Sequence, residues 1–270
     1  MRKYFFTIWA EIEAQGLEIG FKLFSAGHII WLIAITVFTI LMTRIYGSAG
    51  KEKREKIKKF FAVSILLSEV YKDTVLIIKG ADMMGYLPLH LCSFAMFCMA
   101  YDAFAKVKGP VGQYLLYGIF PGALSALIFC NWTEYPFFNF MAIHSFVFHG
   151  WIVAYVIMQF INGDIKVTYK GIWKTALALA ICAVPIFIFN TIFKQNYMFL
   201  NIPSEGSPLV PLWNAFGEKF GIAGYLTAYA VFVIVVFHVL WAIYTLIQKK
   251  FLEKGKTDSE QDNHRQRLSV

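Results

Sequence analysis

The chain has 270 residues and a formal net charge of +8, yet 58% of it is hydrophobic and only 16% charged, against roughly 25% charge in soluble domains. Mean hydropathy is +0.57, and stretches of the ~20 mostly apolar residues needed to span a membrane fill most of the sequence. That balance identifies an integral membrane protein, leaves no room for a soluble domain, and gives no nucleic-acid partner, because the basic residues lie in loops between apolar runs.

Residues 1–23 contain MRKYFFTIWA followed by EIEAQGLEIG. A signal peptide needs a longer apolar core and a small-residue cleavage site, so the segment is expected to be retained. Phe5, Phe6, Ile8 and Trp9 beside Glu11 and Glu13 suit a short helix in the outer interface. Seven spans are predicted near residues 24–46, 59–79, 87–105, 112–130, 138–161, 172–193 and 221–247, making one all-α polytopic transmembrane domain over 24–250. The polar tail 251–270 is expected to be disordered.

Lysine and arginine cluster in alternate loops: KEKREKIKK over 51–59, then Lys106 and Lys108, then Lys166, Lys170 and Lys174, then Lys249 and Lys250. The intervening loops carry scattered charges such as Lys79, Lys194 and Lys219. By the positive-inside rule the N-terminus lies outside and the C-terminus inside, which requires an odd number of spans.

Ionisable side chains inside hydrocarbon are costly and mark sites by default. In segment one, His28 within FSAGHIIW is read as an interface residue. Segment two carries SILLSEVYKDTVLIIKG, where Glu69 and Asp73 share a helix face and Lys72 lies three residues from Glu69. Lys72 between two carboxylates makes an ion network that fastens the span to its neighbours; alternatively, one carboxylate orients a histidine or holds a proton. Segment three opens with GYLPLHLCSF, where Pro88 fits a first helical turn. On that helix His90 and Cys92 stand about 200° apart, so a Cys/His pair needs its histidine from another span.

Pro121 and Gly122 in segment four allow a mid-span kink. Segment five offers His144 and His149 in NFMAIHSFVFHGWIV, about 140° apart and poor ligands for one metal. His149 falls within about 6 Å of Cys92 in depth, and His144 lies about as close on the outer side, so depth does not choose between them. The external loop KQNYMFLNIPSEGSPLVPLWNAFGEKF holds Asn196 and Tyr197 and is read as a folded-back lid or a plain surface loop. His238 in the last span is read as packing. The four cysteines, Cys92, Cys98, Cys130 and Cys182, form no CxxC pair, which points to neither a metal site nor a disulfide framework; no cofactor is expected.

The runs LPLHLC, FVFHGWIV and NYMFLNIPSEGSPL resemble the bacterial YwaF-like family of integral membrane proteins over nearly the whole chain. More distantly the chain resembles the eukaryotic transmembrane protein 164 acyltransferases, which move fatty acyl groups between phospholipids with a Cys/His pair. The resemblance implies Cys92 as nucleophile, His149 as base and Asn196 in the external loop motif, with a membrane phospholipid or other acyl lipid as partner and the bacterial cytoplasmic membrane as location. His90 and His144 receive no role from it and stand with Glu69, Lys72 and Asp73 as supporting candidates. A proton-coupled or small-solute transporter is the alternative, although no inverted repeat is apparent; a non-catalytic membrane protein is another. An intramembrane zinc hydrolase lacks its expected HxxxH, because His238 stands alone.

Overall fold

The computed structural model describes residues 4–16, 19–204 and 206–268, with backbone alone from residue 251. Residues 1–3, 17 and 18 of the expected N-terminal segment, and 269 and 270 of the expected tail, lie outside the described residues. All regular structure among the described residues is helical: α1 Trp9–Ala14, α2 Ala26–Ser48, α3 Lys51–Ile78, α4 Phe94–Phe104, α5 over 111–128, α6 Phe140–Ile161, α7 Tyr169–Phe193 and α8 Glu218–Leu268. The backbone of α8 continues helical through most of the expected tail.

Five of these, α2, α5, α6, α7 and α8, are long and apolar enough to cross a membrane. α3 and α4 fall short of that measure for different reasons. α3 has 28 residues, but its composition is diluted by a lysine-rich start and by Glu69 and Lys72, which turn inward. Its outer face is apolar, exposing Phe60, Val63, Leu67, Val70 and Ile77. α4 has only 11 residues. The helix expected from Pro88 begins instead with a tight turn at Leu91–Ser93, because His90 is extended (φ −72°, ψ 151°) and the bend before it bonds Leu89 N–H to the Leu87 carbonyl and Leu87 N–H to the Tyr197 hydroxyl.

The helix ends sort into two sets. At one end the Phe140 N–H donates to the Phe5 carbonyl at 2.9 Å and the Phe21 N–H to the Thr133 carbonyl at 2.7 Å, while Lys79 Nζ meets Glu11 at 2.7 Å. At the other, Arg54 donates to the carbonyls of Tyr46, Gly47 and Ala49 at 3.0–3.1 Å, capping the C-terminus of α2 where cations are favoured. The same guanidinium faces Asp164 at 3.4 Å, which also accepts from the Tyr46 hydroxyl. Asn162 Nδ2 donates to the Thr43 carbonyl at 3.2 Å, and Gln248 Nε2 to the Ile165 carbonyl at 3.2 Å. α2, α3 and α6 therefore run alternately between the two ends, and Arg54, Asp164 and Gln248, beside the lysine-rich stretches, gather at the second.

α6 is the central rod: 61% of its apolar window is buried within the bundle, against 11% for α2, α7 and α8. Tyr155 and Ile152 of α6 pack with Phe61 of α3, Met99 of α4, and Leu115 and Tyr117 of α5. Between helices in lipid, close contact rather than release from water supplies the attraction. Gly150 illustrates this, since a Cβ there would sit 3.0 Å from Ile35 Cγ1 of α2. The outer helices keep apolar stripes outward, as in Leu177, Ile181, Val184, Ile188 and Ile192 of α7, a spacing that lines one helix face.

Two irregularities shape the bundle. Within α5 the turn Tyr114–Ile119 is π-helical and leads into Phe120–Ile128, which carries Pro121 in its first turn; the wide turn admits a residue without an N–H. Before α8, a helical lead over 210–217 bends at Gly221 (φ 66°, ψ −162°), a conformation glycine adopts without steric cost.

α1 packs against the bundle end through Ile8 and Ile12, which meet Leu76, Tyr135 and Phe140. Glu11 holds it there: one carboxylate oxygen accepts from the Ile8 N–H at 2.9 Å and the other meets Lys79. The Lys79 ammonium, with the Ile8 amide, holds the Glu11 carboxyl below its ordinary 4.5. A depressed carboxylate pKa adds stability above the unfolded value and loses it as pH falls through the folded one. Hydrogen-exchange protection of residues 8–14, taken against the intrinsic rate at each pH, is therefore expected to fall as pH drops below about 4.5, and Lys79→Met should lower it at neutral pH and flatten that pH response.

Candidate functional site

Cys92 sits in the Leu91–Ser93 turn at the head of α4. Its side chain faces α5 at Gly122, where a Cβ would approach Leu91 Cδ2 to 3.3 Å and the Cys92 Sγ to 4.0 Å. Tyr229 of α8 lies within electrostatic reach. Among the described residues the thiol has no hydrogen-bond partner. The Ser93 N–H bonds back to the His90 carbonyl at 2.9 Å, whereas no loop bond takes up the amides of Leu91 and Cys92, the ordinary condition of the first donors in a helical turn.

α6 separates its two histidines. His149 stacks on Trp132, ring centroids 4.9 Å apart at 17°, and its Nδ1 lies 2.7 Å from the Ser145 carbonyl. A carbonyl only accepts, so Nδ1 carries the proton and Nε2 of the neutral ring keeps its lone pair. That Nε2 has no partner among the described residues and is not among the fully enclosed unpartnered atoms. His144 Nε2 is enclosed, 3.5 Å from Glu69 Oε2 but out of hydrogen-bond alignment. Glu69 in turn meets Lys72 Nζ at 2.5 Å, and Lys72 reaches Asp73 at 3.2 Å. Glu69, Lys72, Asp73 and His144 thus form one ionic group between α3 and α6, with Lys72 between the carboxylates.

His90 ends an extended stretch rather than sharing a helix with Cys92, which corrects the expected angular relation. Its Nδ1 accepts from the Met198 N–H at 3.3 Å, and its ring packs edge-on to Tyr197 at 5.0 Å. It thereby joins the Cys92 turn to the external loop. No hydrogen bond joins Cys92 to His149, His144 or His90.

Asn196 shapes the loop from within. Its Oδ1 accepts from the N–H groups of Asn201 and Ile202 at 3.1 and 3.3 Å, and its Nδ2 donates to the Ile202 carbonyl at 2.8 Å. Of the residues that fasten this loop to the bundle, Tyr197 was singled out in the sequence, whereas Asn190 and Tyr225 were not. Asn190 of α7 pairs both ways with the Tyr197 backbone at 2.9 Å. The Tyr197 hydroxyl donates to the Met84 carbonyl at 2.5 Å and accepts from the Leu87 N–H at 3.0 Å. Tyr225 of α8 donates to the Phe199 carbonyl at 2.8 Å. Met198 and Phe199 adopt φ of 55°, a strained conformation that persists where surroundings over-determine it. An amide in the apolar run IFIFNTIF was the available signal, since such a group needs a partner.

Cys130 makes a second Cys–His contact, its Sγ 3.5 Å from His28 Nε2. His28 accepts from the Phe24 N–H at Nδ1 and faces the Leu127 carbonyl with Nε2, so Nε2 bears the proton and has no lone pair for the thiol. Among the described residues no group of three His, Cys, Asp or Glu could hold a metal ion.

Asn190→Ala strands two buried backbone groups of Tyr197, each costing about 1–3 kcal/mol. A lower melting temperature in detergent and faster hydrogen exchange over residues 195–200 are expected, and unchanged exchange there would contradict the assigned role of Asn190.

A model of the TMEM164 family matches residues 23–246, a span that takes in Cys92, both α6 histidines, Asn196 and every rod from α2 into α8. No curated protein and no solved structure matches the chain. With the family match covering all but the two ends of the sequence, the chain belongs to the TMEM164 family.

Proposed function

We propose that this membrane protein is a thiol-dependent lipid acyltransferase with Cys92 as nucleophile and His149 as base. The proposal includes a bacterial YwaF-like affiliation, seven membrane crossings and the lysine-rich end on the cytoplasmic side of a bacterial membrane, with the N-terminus outside. The apolar outer faces of α3 and α4 and the alternating rods support seven crossings, and the charge asymmetry supports the orientation.

His149 carries the catalytic reading. Its Nδ1–H is committed to the Ser145 carbonyl, which leaves Nε2 unpartnered with its lone pair free, the tautomer a general base requires. In the proposed reaction His149 Nε2 takes the Cys92 proton and the thiolate attacks the carbonyl carbon of a phospholipid ester. The resulting oxyanion is met by the amides of Leu91 and Cys92. Collapse expels the lysolipid alkoxide, which takes the proton from the imidazolium and leaves a Cys92 thioester. An acceptor hydroxyl then repeats the sequence, giving its proton to His149, attacking the thioester and returning the thiol. The stretch 87–93 and the loop it joins give the site a covered entrance, and Gly122 leaves space beside the sulfur.

Intact-mass spectrometry of protein incubated with phospholipid tests this. A fatty-acyl increment that hydroxylamine removes is expected on the native chain and absent from Cys92→Ser, while His149→Gln should slow its appearance by about 10²–10⁴-fold. Gly122→Leu should block both acylation and labelling of Cys92 by an apolar maleimide. A native chain that stays unmodified while folded, or an adduct that survives Cys92→Ser, would sink the proposal.

A further inference from the structure

An apolar groove of about 440 Å³ runs along the bundle between α2, α5 and α6, within the ~300–1,000 Å³ range of ligand sites. Leu32, Leu124, Val153 and Ile161 contribute to its walls, and Arg44 closes its lysine-rich end. It is separate from the Cys92 surroundings. Gly122 turns toward Cys92, and Leu124 of the groove is two residues on, about 200° around α5.

Two polar groups in this apolar setting lack partners. Thr36 and Thr43 both line the groove and donate to carbonyls of their own helix, at 2.8 and 2.7 Å, the ordinary way for a helical threonine to satisfy its hydroxyl. Thr39, between them, does not: it is 6% exposed and its hydroxyl is enclosed without a hydrogen-bond partner. Arg44, exposed near the end of α2, has no acidic partner among the described residues. A guanidinium suits a phosphate by charge and by its forked donors.

From Leu32 to Arg44 the groove extends about 18 Å along α2 at 1.5 Å per residue, a little more than the ~15 Å half-thickness of a hydrocarbon core. Thr39 lies about 7.5 Å from Arg44 along the same axis, on the hydrocarbon side. We infer that the groove is a binding site for one anionic glycerophospholipid of the leaflet at the lysine-rich end. Its phosphate lies on Arg44, its glycerol-ester region sits at the level of Thr39, whose enclosed hydroxyl rotates outward to meet it, and one acyl chain fills the apolar walls. The site holds an intact lipid beside the bundle and takes no part in the Cys92 chemistry.

The test uses delipidated full-length protein in detergent, titrated with dioleoylphosphatidylglycerol or dioleoylphosphatidylcholine and read by native mass spectrometry. One tightly held phosphatidylglycerol is expected, with phosphatidylcholine weaker. Arg44→Gln should weaken the anionic lipid by about tenfold or more and remove the preference between headgroups. Thr39→Val should weaken both lipids alike, and Leu124→Trp, which fills the groove, should abolish the tight site. Each variant is compared at matched melting temperature, so a fold defect is separated from a lost site. Cys92→Ser should bind phosphatidylglycerol as the native chain does, so failure of the acyl-transfer reading leaves this result standing. Equal binding of the two lipids, or tight binding that survives both Arg44→Gln and Leu124→Trp, would overturn the inference.

Discussion

Backbone amides and carbonyls within a membrane must be paired inside the protein, and the stretch 87–93 is where this bundle meets that demand without a helix. The run before Cys92 pairs partly within itself, Leu89 N–H on the Leu87 carbonyl and Ser93 N–H on the His90 carbonyl, and partly on the loop after α7, where the Tyr197 hydroxyl takes the Leu87 N–H and the His90 ring accepts from the Met198 amide. That loop depends on Asn190 and Tyr225. A short α4, a nucleophile candidate on a turn and a strained external loop are therefore one arrangement. Each part needs the others to keep its polar groups satisfied.

The rods were largely legible because hydrophobic periodicity records length and burial directly. The run predicted at 138–161 is observed as Phe140–Ile161, and that at 172–193 as Tyr169–Phe193. α4 was not legible from its start. Pro88 favours a helix locally, but the Leu89 N–H turns back to the Leu87 carbonyl and the Leu87 N–H pairs with the Tyr197 hydroxyl 110 positions away, and no local pattern records such a partner. The kink ascribed to Pro121 is instead absorbed by a π-helical turn before it, because removing one N–H can be met by widening the preceding turn as well as by bending.

Around the site, residue types were visible and their alignment was not. Depth left His144 and His149 equivalent, whereas their surroundings differ. His144 faces Glu69 in the α3 ionic group, and His149 lies flat on Trp132 with one nitrogen committed to the Ser145 carbonyl. Five residues on a central helix are enough to place two identical side chains against different neighbours. Asn190, Tyr197 and Tyr225, which hold the loop, carry no chemistry suggested by type alone. Their importance lies in which backbone groups they reach.

The tight α2–α3 corner carries a consequence for how the chain enters its membrane. On the proposed topology α3 must cross although its buried Glu69 and Lys72, with Asp73 beside them, make it a poor candidate to partition on its own, whereas α2 is strongly apolar. Only Ala49 and Gly50 separate the two, and Arg54 clamps the joint. On that topology α3 follows α2 directly into the bilayer, and its charged face becomes tenable once α6, against which both helices pack, brings His144 to Glu69.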